Sequence, residues 1–352
     1  MFRSALLIIT ISSLTACAAV TPPTQPEHGP GSSEYSHADF TVTTLGEGDG
    51  QVWIFEPAEP KPKDAPVVIF CHGWSAMSPN VYGAWIKHLV RRGNIVIYPR
   101  YQASIVALMT TFTPNAEGAV KAAFKELQAD GHVKPQVDRV AVVGHSMGAA
   151  IAPNLAVLMP QDGLPAPKAI CSVEPGNKVI GHEQFFMRLE DFSKLPASTL
   201  VQVIAGQDDA LVGSATAKEI YGLLKNVAPE NKNFITLVSD PHGEPKLEAG
   251  HMAPVATLEI VPPEEPGAKK PGPLRQRLHD RKSDPAGGKA TPAVGVDAMD
   301  FYGTWKLFDA LTDAAFFGKN REYGLGNTPQ QRFMGKWSDG TPVRELVVGE
   351  KP

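Results

Sequence analysis

Long hydrophobic runs are missing from this 352-residue chain: no stretch reaches the roughly 20 apolar residues needed to cross a bilayer, so no membrane span is predicted. Cysteine is scarce as well. Three in the whole chain exclude a disulfide-stapled scaffold and a cysteine-rich metal module. An excess of positive charge is also lacking: 33 Lys and Arg stand against 37 Asp and Glu, a net charge of −4 with no sustained basic stripe, so nucleic acid is not expected as a partner. The ten histidines are scattered without metal-ligand spacing, which makes no case for zinc or another metal. No internal repeat is visible, and nothing in the sequence sets an oligomeric state.

What is present begins with an export signal. Met1-Phe2-Arg3-Ser4 carries one positive charge and leads into a short apolar core from Ala5 to Ile11. Leu14-Thr15-Ala16-Cys17 then resembles the lipobox of bacterial lipoproteins. That resemblance implies cleavage before Cys17, acylation of its thiol with a palmitate-type chain and of its new amino group, and attachment to a membrane of the cell envelope through lipid alone. Ala18, where an aspartate is absent, would favour the outer membrane in a Gram-negative host. Residues 19 to 37 are rich in Pro, Thr, Ser, Gly and His and read as an extended tether. The expected divisions are a signal at 1–16, a lipidated cysteine and flexible tether at 17–38, and one domain at 39–352 interrupted by a proline-rich excursion at 261–295.

Within that domain, short apolar runs recur at Val67–Cys71, Ile95–Tyr98, Val140–Val143, Ala169–Val173, Leu200–Ile204 and Phe234–Val238. Helical patterns such as Glu117–Ala129 and Ser214–Leu224 lie between most of them, and Asp297–Phe317 supplies a last helix. Strand alternating with helix predicts an α/β protein whose parallel sheet is covered on both faces. Phe40–Thr44 and Gln51–Phe55, joined by a glycine-rich turn, predict an antiparallel hairpin at the sheet edge. The order of parts resembles the α/β-hydrolase fold. Cys71 and Cys171 fall in or beside central strands that would not be neighbours, so both are expected to be small buried hydrophobes.

The strongest signal is Gly144-His145-Ser146-Met147-Gly148, directly after the run Val140–Val143 and before a helical stretch that contains Pro153. Gly144 and Gly148 remove side chains where strand and helix crowd together, which lets Ser146 sit exposed on a tight turn. A serine hydroxyl is a weak nucleophile and needs a base, and the base needs an acid to hold it. The acid belongs in the turn after Leu200–Ile204, where G-x-x-D-x-x-V spacing favours Asp209 over its neighbour Asp208. The base is His251 or His242. Short spacing from the last strand argues for His242, whereas Gly250-His251-x-x-Pro254 resembles the loop where such enzymes hold their histidine and gives His251 the preference. An oxyanion hole is expected from the backbone amides of Met147 and of Trp74, in His72-Gly73-Trp74-Ser75. Trp74, Tyr101, Phe185, Phe186 and Met187 are candidates to line the substrate cleft, with Gln184–Leu189 as one short lid helix.

These features together resemble the α/β-hydrolase superfamily, in its dienelactone-hydrolase, cutinase-like and platelet-activating-factor acetylhydrolase-like branch. The resemblance implies ester hydrolysis through an acyl-enzyme without a cofactor, acting on a small-molecule ester. A lid of one short helix cannot enclose a long chain, so acyl groups of about two to six carbons are expected. A serine peptidase, a lipase and a non-catalytic envelope-binding lipoprotein remain as alternatives on the same scaffold.

Overall fold

The computed structural model describes residues 19–179, 182–262 and 295–349. Cys17, the signal region and most of the 261–295 excursion lie outside the described residues. Among the described residues, nine strands form one sheet. The edge hairpin is β1 (Asp39–Leu45) and β2 (Gln51–Ala58), and β2 runs antiparallel to β4 (Ile95–Arg100). From β4 the sheet is parallel through β3 (Asp64–Cys71), β5 (Lys134–His145), β6 (Ala169–Val173), β9 (Leu200–Gly206) and β10 (Lys232–Leu237). A short β11 (Val347–Val348) closes the far edge antiparallel to β10. This is the α/β-hydrolase fold.

Strand periodicity explains the two-sided core. On β3, Val67, Ile69 and Cys71 point into one apolar layer and Val68 and Phe70 into the other; β5 splits Val140 and Val142 from Ala141 and Val143 in the same way. The first layer is roofed by α2 (Phe112–Glu126), α3 (Met147–Leu158) and α4 (Ala215–Leu223), and the second by α1 (Gly83–Arg91) and α5 (Lys306–Phe317). Cys71 and Cys171 are both free and buried, as the strand positions imply. The last helical pattern starts as a π-helical stretch, Met299–Trp305, before it tightens into α5.

Pro153 does not break α3. It has no N–H to give to the Ala149 carbonyl one turn back, and Ser172 Oγ on β6 donates to that carbonyl instead, at 2.8 Å.

Two expectations are corrected. From residue 19 onward the presumed tether is laid against the domain: Thr21 accepts from Ser338, His37 donates its amide to the Arg91 carbonyl, and Gly31 donates to Asp309 Oδ2 at 2.7 Å. The segment cannot build a core of its own, but it fits where α1 and α5 bury a carboxylate that needs a donor. Only glycine fits at 31, because a Cβ there would lie 2.1 Å from the Phe301 carbonyl oxygen. The expected helix at Gln184–Leu189 is a hairpin instead, β7 (Lys178–Val179) with β8 (His182–Phe186). A short run containing two phenylalanines suits a strand as well as a helix, and pairing decides between them.

Candidate active site

β5 ends at His145, and the chain turns into α3 through Ser146 at φ 55° and ψ −120°. A non-glycine residue in such a conformation is strained. The flanking glycines permit it: a Cβ on Gly144 would lie 2.1 Å from the Gly148 carbonyl oxygen, and one on Gly148 would lie 2.1 Å from that of Cys71. The turn lifts Ser146 to the carboxyl edge of the sheet, where the loops after β9 and β10 meet it.

His251 Nε2 lies 2.9 Å from Ser146 Oγ, and His251 Nδ1 lies 2.8 Å from Asp209 Oδ2. The carboxylate accepts, so Nδ1 carries the imidazole proton and Nε2 is left to accept from the serine hydroxyl. Asp209 Oδ1 accepts from the amides of Leu211 and Val212 at 2.9 Å each. Burial works to raise this carboxyl, but the bonds from His251, Val212 and Leu211 outweigh it and hold Asp209 below the ordinary carboxylate range.

The rivals stand elsewhere. Asp208 is exposed, and its amide donates to the Ala249 carbonyl in the histidine loop. His242 pairs with Asp339 on the surface at 2.8 Å.

The predicted oxyanion donors are the first amide of α3, at Met147, and the amide of Trp74. Met147 opens the helix, so its N–H has no acceptor within it and lies at the positive end of the dipole. On either side of Trp74, Gly73 N donates to Tyr82 Oη and Ser75 N to Gln102 Oε1, at 3.0 and 2.8 Å, which fixes the loop. That loop adjoins Ser146, since a Cβ on Gly73 would lie 3.3 Å from Ser146 Cβ.

Sequence reasoning missed the network beneath Ser146, His251 and Asp209. Tyr82 Oη donates to His145 Nδ1 at 2.8 Å, and His145 Nε2 donates to the His251 carbonyl at 2.8 Å. Burial and the neighbouring His251 push the His145 pKa down to about 3, so its imidazole is neutral. Glu174 was also missed. It directly follows β6 at the carboxyl edge of the sheet, a position that by itself was the only available signal.

The cleft lining needs revision. Tyr101 is fully buried, donates to the His72 carbonyl and stacks on the His72 ring at 4.0 Å, so it supports the loop and offers no surface to a cleft. Met187 is buried too, against Thr113. Trp74 is partly buried on the core, and Phe186 is 53% exposed on β8. The Phe185 side chain lies outside the described part of the structure.

Among the described residues, His145, Glu174 and His251 bring possible metal-ligand atoms within 4.8 Å of one another. His145 Nε2 and His251 Nδ1 are both engaged as hydrogen-bond donors, which leaves neither a free lone pair for an ion in this arrangement.

Residues 33–191 match the family model of chlorophyllase. No curated protein matches the chain. Among solved structures it is similar to a fungal esterase from Rhizomucor miehei, with 16% identity over 59% of this chain and 76% of that one and a TM-score of 0.47.

Proposed function

We propose that this chain is a serine carboxylesterase of the branch its sequence resembles, cleaving short or medium acyl esters through an acyl-enzyme. The observation that carries the reading is the continuous relay from Asp209 through His251 to Ser146, with contacts of 2.8 and 2.9 Å. His251 Nε2 takes the hydroxyl proton as Ser146 Oγ attacks the ester carbonyl carbon. The amides of Met147 and Trp74 stabilise the resulting oxyanion. Collapse breaks the bond to the leaving alkoxide, which receives the proton from the imidazolium, and water repeats the cycle on the acyl-enzyme. Asp209 keeps its negative charge throughout and stabilises the imidazolium.

Only residues 174–199 separate β6 from β9, and a two-stranded hairpin occupies part of them, so no large lid covers the site from this side. A wall this short gains about 0.8 kcal/mol per buried methylene for only a few methylenes. A fluorophosphonate probe is expected to label Ser146, and kcat/KM for p-nitrophenyl esters is expected to peak at about two to six acyl carbons. Activity that rises through palmitoyl esters would replace this reading with a lipase, and equal cleavage of aminoacyl-anilides with a peptidase. Folded protein that takes no label would be a binding lipoprotein.

We also propose that lipid on Cys17 holds the enzyme at a membrane of the bacterial envelope, a reading supported by Leu14-Thr15-Ala16-Cys17. Replacing Cys17 with serine is expected to move active protein from the membrane to the soluble fraction of cells. Membrane retention of that variant in high salt would overturn the assignment.

A further inference from the structure

One carboxyl beside the relay has no part in the mechanism above. Glu174 is fully buried, and neither of its carboxyl oxygens has a hydrogen-bond partner among the described residues. Its Oε2 lies 3.9 Å from His251 Nδ1, the nitrogen that Asp209 holds at 2.8 Å, and 3.5 Å from His145 Nε2. A buried carboxyl without partners is costly, so its placement calls for a cause.

The backbone holds it there. Glu174 has a left-handed φ of 49°, and its amide donates to the Ile204 carbonyl at 2.7 Å. The same turn is laced to the nucleophile, because Ser146 N donates to the Val173 carbonyl and Gly176 N to the Ser146 carbonyl. Room for Oε1 exists because position 206 is glycine: a Cβ there would lie 2.7 Å from it.

Resting on the serine-hydrolase reading, we propose that Glu174 is a reserve acid of the site, placed to hold His251 Nδ1 when the Asp209 carboxylate is lost or drawn away. Two carboxylates facing one nitrogen do not both ionise. Asp209 owns the amide donors and keeps the charge, whereas burial and the Asp209 charge push Glu174 well above the usual range and leave it protonated. Without Asp209 that repulsion vanishes. Burial still opposes ionisation, so Glu174 gives its proton to solvent as the imidazolium forms on His251, whose positive charge stabilises the carboxylate, and a side-chain rotation closes the gap to Nδ1.

The test measures kcat/KM on a p-nitrophenyl ester for the wild type, Asp209→Ala, Glu174→Gln and the double variant. Loss of the acid from a triad without a substitute costs about 10⁴-fold. Asp209→Ala is expected to lose only about 10²- to 10³-fold, and adding Glu174→Gln to lower activity by at least about tenfold more, against a few-fold when made in the wild type. A side chain that merely packs would give the same factor in both backgrounds, and that result overturns the proposal. A Glu174→Gln variant as damaged as one lacking Ser146 would make Glu174 the primary acid and overturn it equally. Because Asp209 also caps its own turn, Asp209→Ser, whose hydroxyl accepts from the same amides, repeats the cycle if the alanine variant does not fold. Fluorophosphonate labelling of the wild type separates failure of this proposal from failure of the serine-hydrolase reading.

Discussion

Replacing Ser146 with alanine is expected to lower kcat for ester hydrolysis by about three orders of magnitude or more, with no loss of thermal stability. The hydroxyl is the only atom removed, and its hydrogen bond goes to His251 Nε2 at the edge of the cleft. No packing contact in either apolar layer depends on it. Relief of side-chain crowding at φ 55° is minor, since alanine keeps the Cβ that makes this conformation strained. His242→Ala is the matched control, because that side chain pairs with Asp339 on the surface, and it is expected to stay within about twofold of the wild type. Comparable turnover by pure Ser146→Ala protein would remove Ser146 from the reaction.

The largest expected effect on stability is at Asp309. This buried carboxylate on α5 accepts from Gly31 N at 2.7 Å and lies 2.9 Å from His88 Nε2 and 3.2 Å from Arg92 Nε, both on or beside α1. Removing one partner of such a buried cluster strands the others, so Asp309→Ala is expected to cost about 3–5 kcal/mol, read from the shift in a denaturant midpoint. Burial alone would raise the Asp309 carboxyl, but Arg92, His88 and the Gly31 amide hold it below the usual range. A depressed carboxyl stabilises the fold above its unfolded pKa of about 3.9, and that contribution is lost as pH falls through the lower folded value. The gap between wild type and variant should therefore be full at neutral pH and narrow in acid. An equal midpoint at pH 7 would show that the cluster contributes nothing net.

The parallel strands and the nucleophile turn were readable because their causes are local. Val67–Cys71 and Val140–Val143 are apolar on both faces because helices cover both faces of the sheet, and continuous β-branched runs record that directly. Gly144 and Gly148 record a steric demand that no other residue meets. Spacing favours Asp209 over Asp208 but points to His242, and His251 is preferred only because Gly250-His251-x-x-Pro254 resembles a known histidine loop; the approach of the loops after β9 and β10 is what separates the rivals in space. What the sequence hid was decided by partners far along the chain. Residues 19–37 look like a tether until α1 and α5 present Asp309 and His88 to them, and Tyr101 looks like a cleft residue until His72 stacks over it. Glu174 carries no local pattern, and its role depends on distances to His145 and His251 that only folding creates.

The chain of hydrogen bonds from Gly73 through Tyr82 and His145 to the His251 carbonyl spans the oxyanion loop, the nucleophile turn and the histidine loop. Any one of these loops that opened alone would leave a buried donor or acceptor of this chain unpaired. Each such opening costs about 1–3 kcal/mol, so the Gly73 amide is expected to exchange its hydrogen with solvent more slowly than the amides of exposed loops. Three loops that come from distant parts of the chain are thus tied together through one neutral imidazole, and a substitution at His145 would loosen all of them at once.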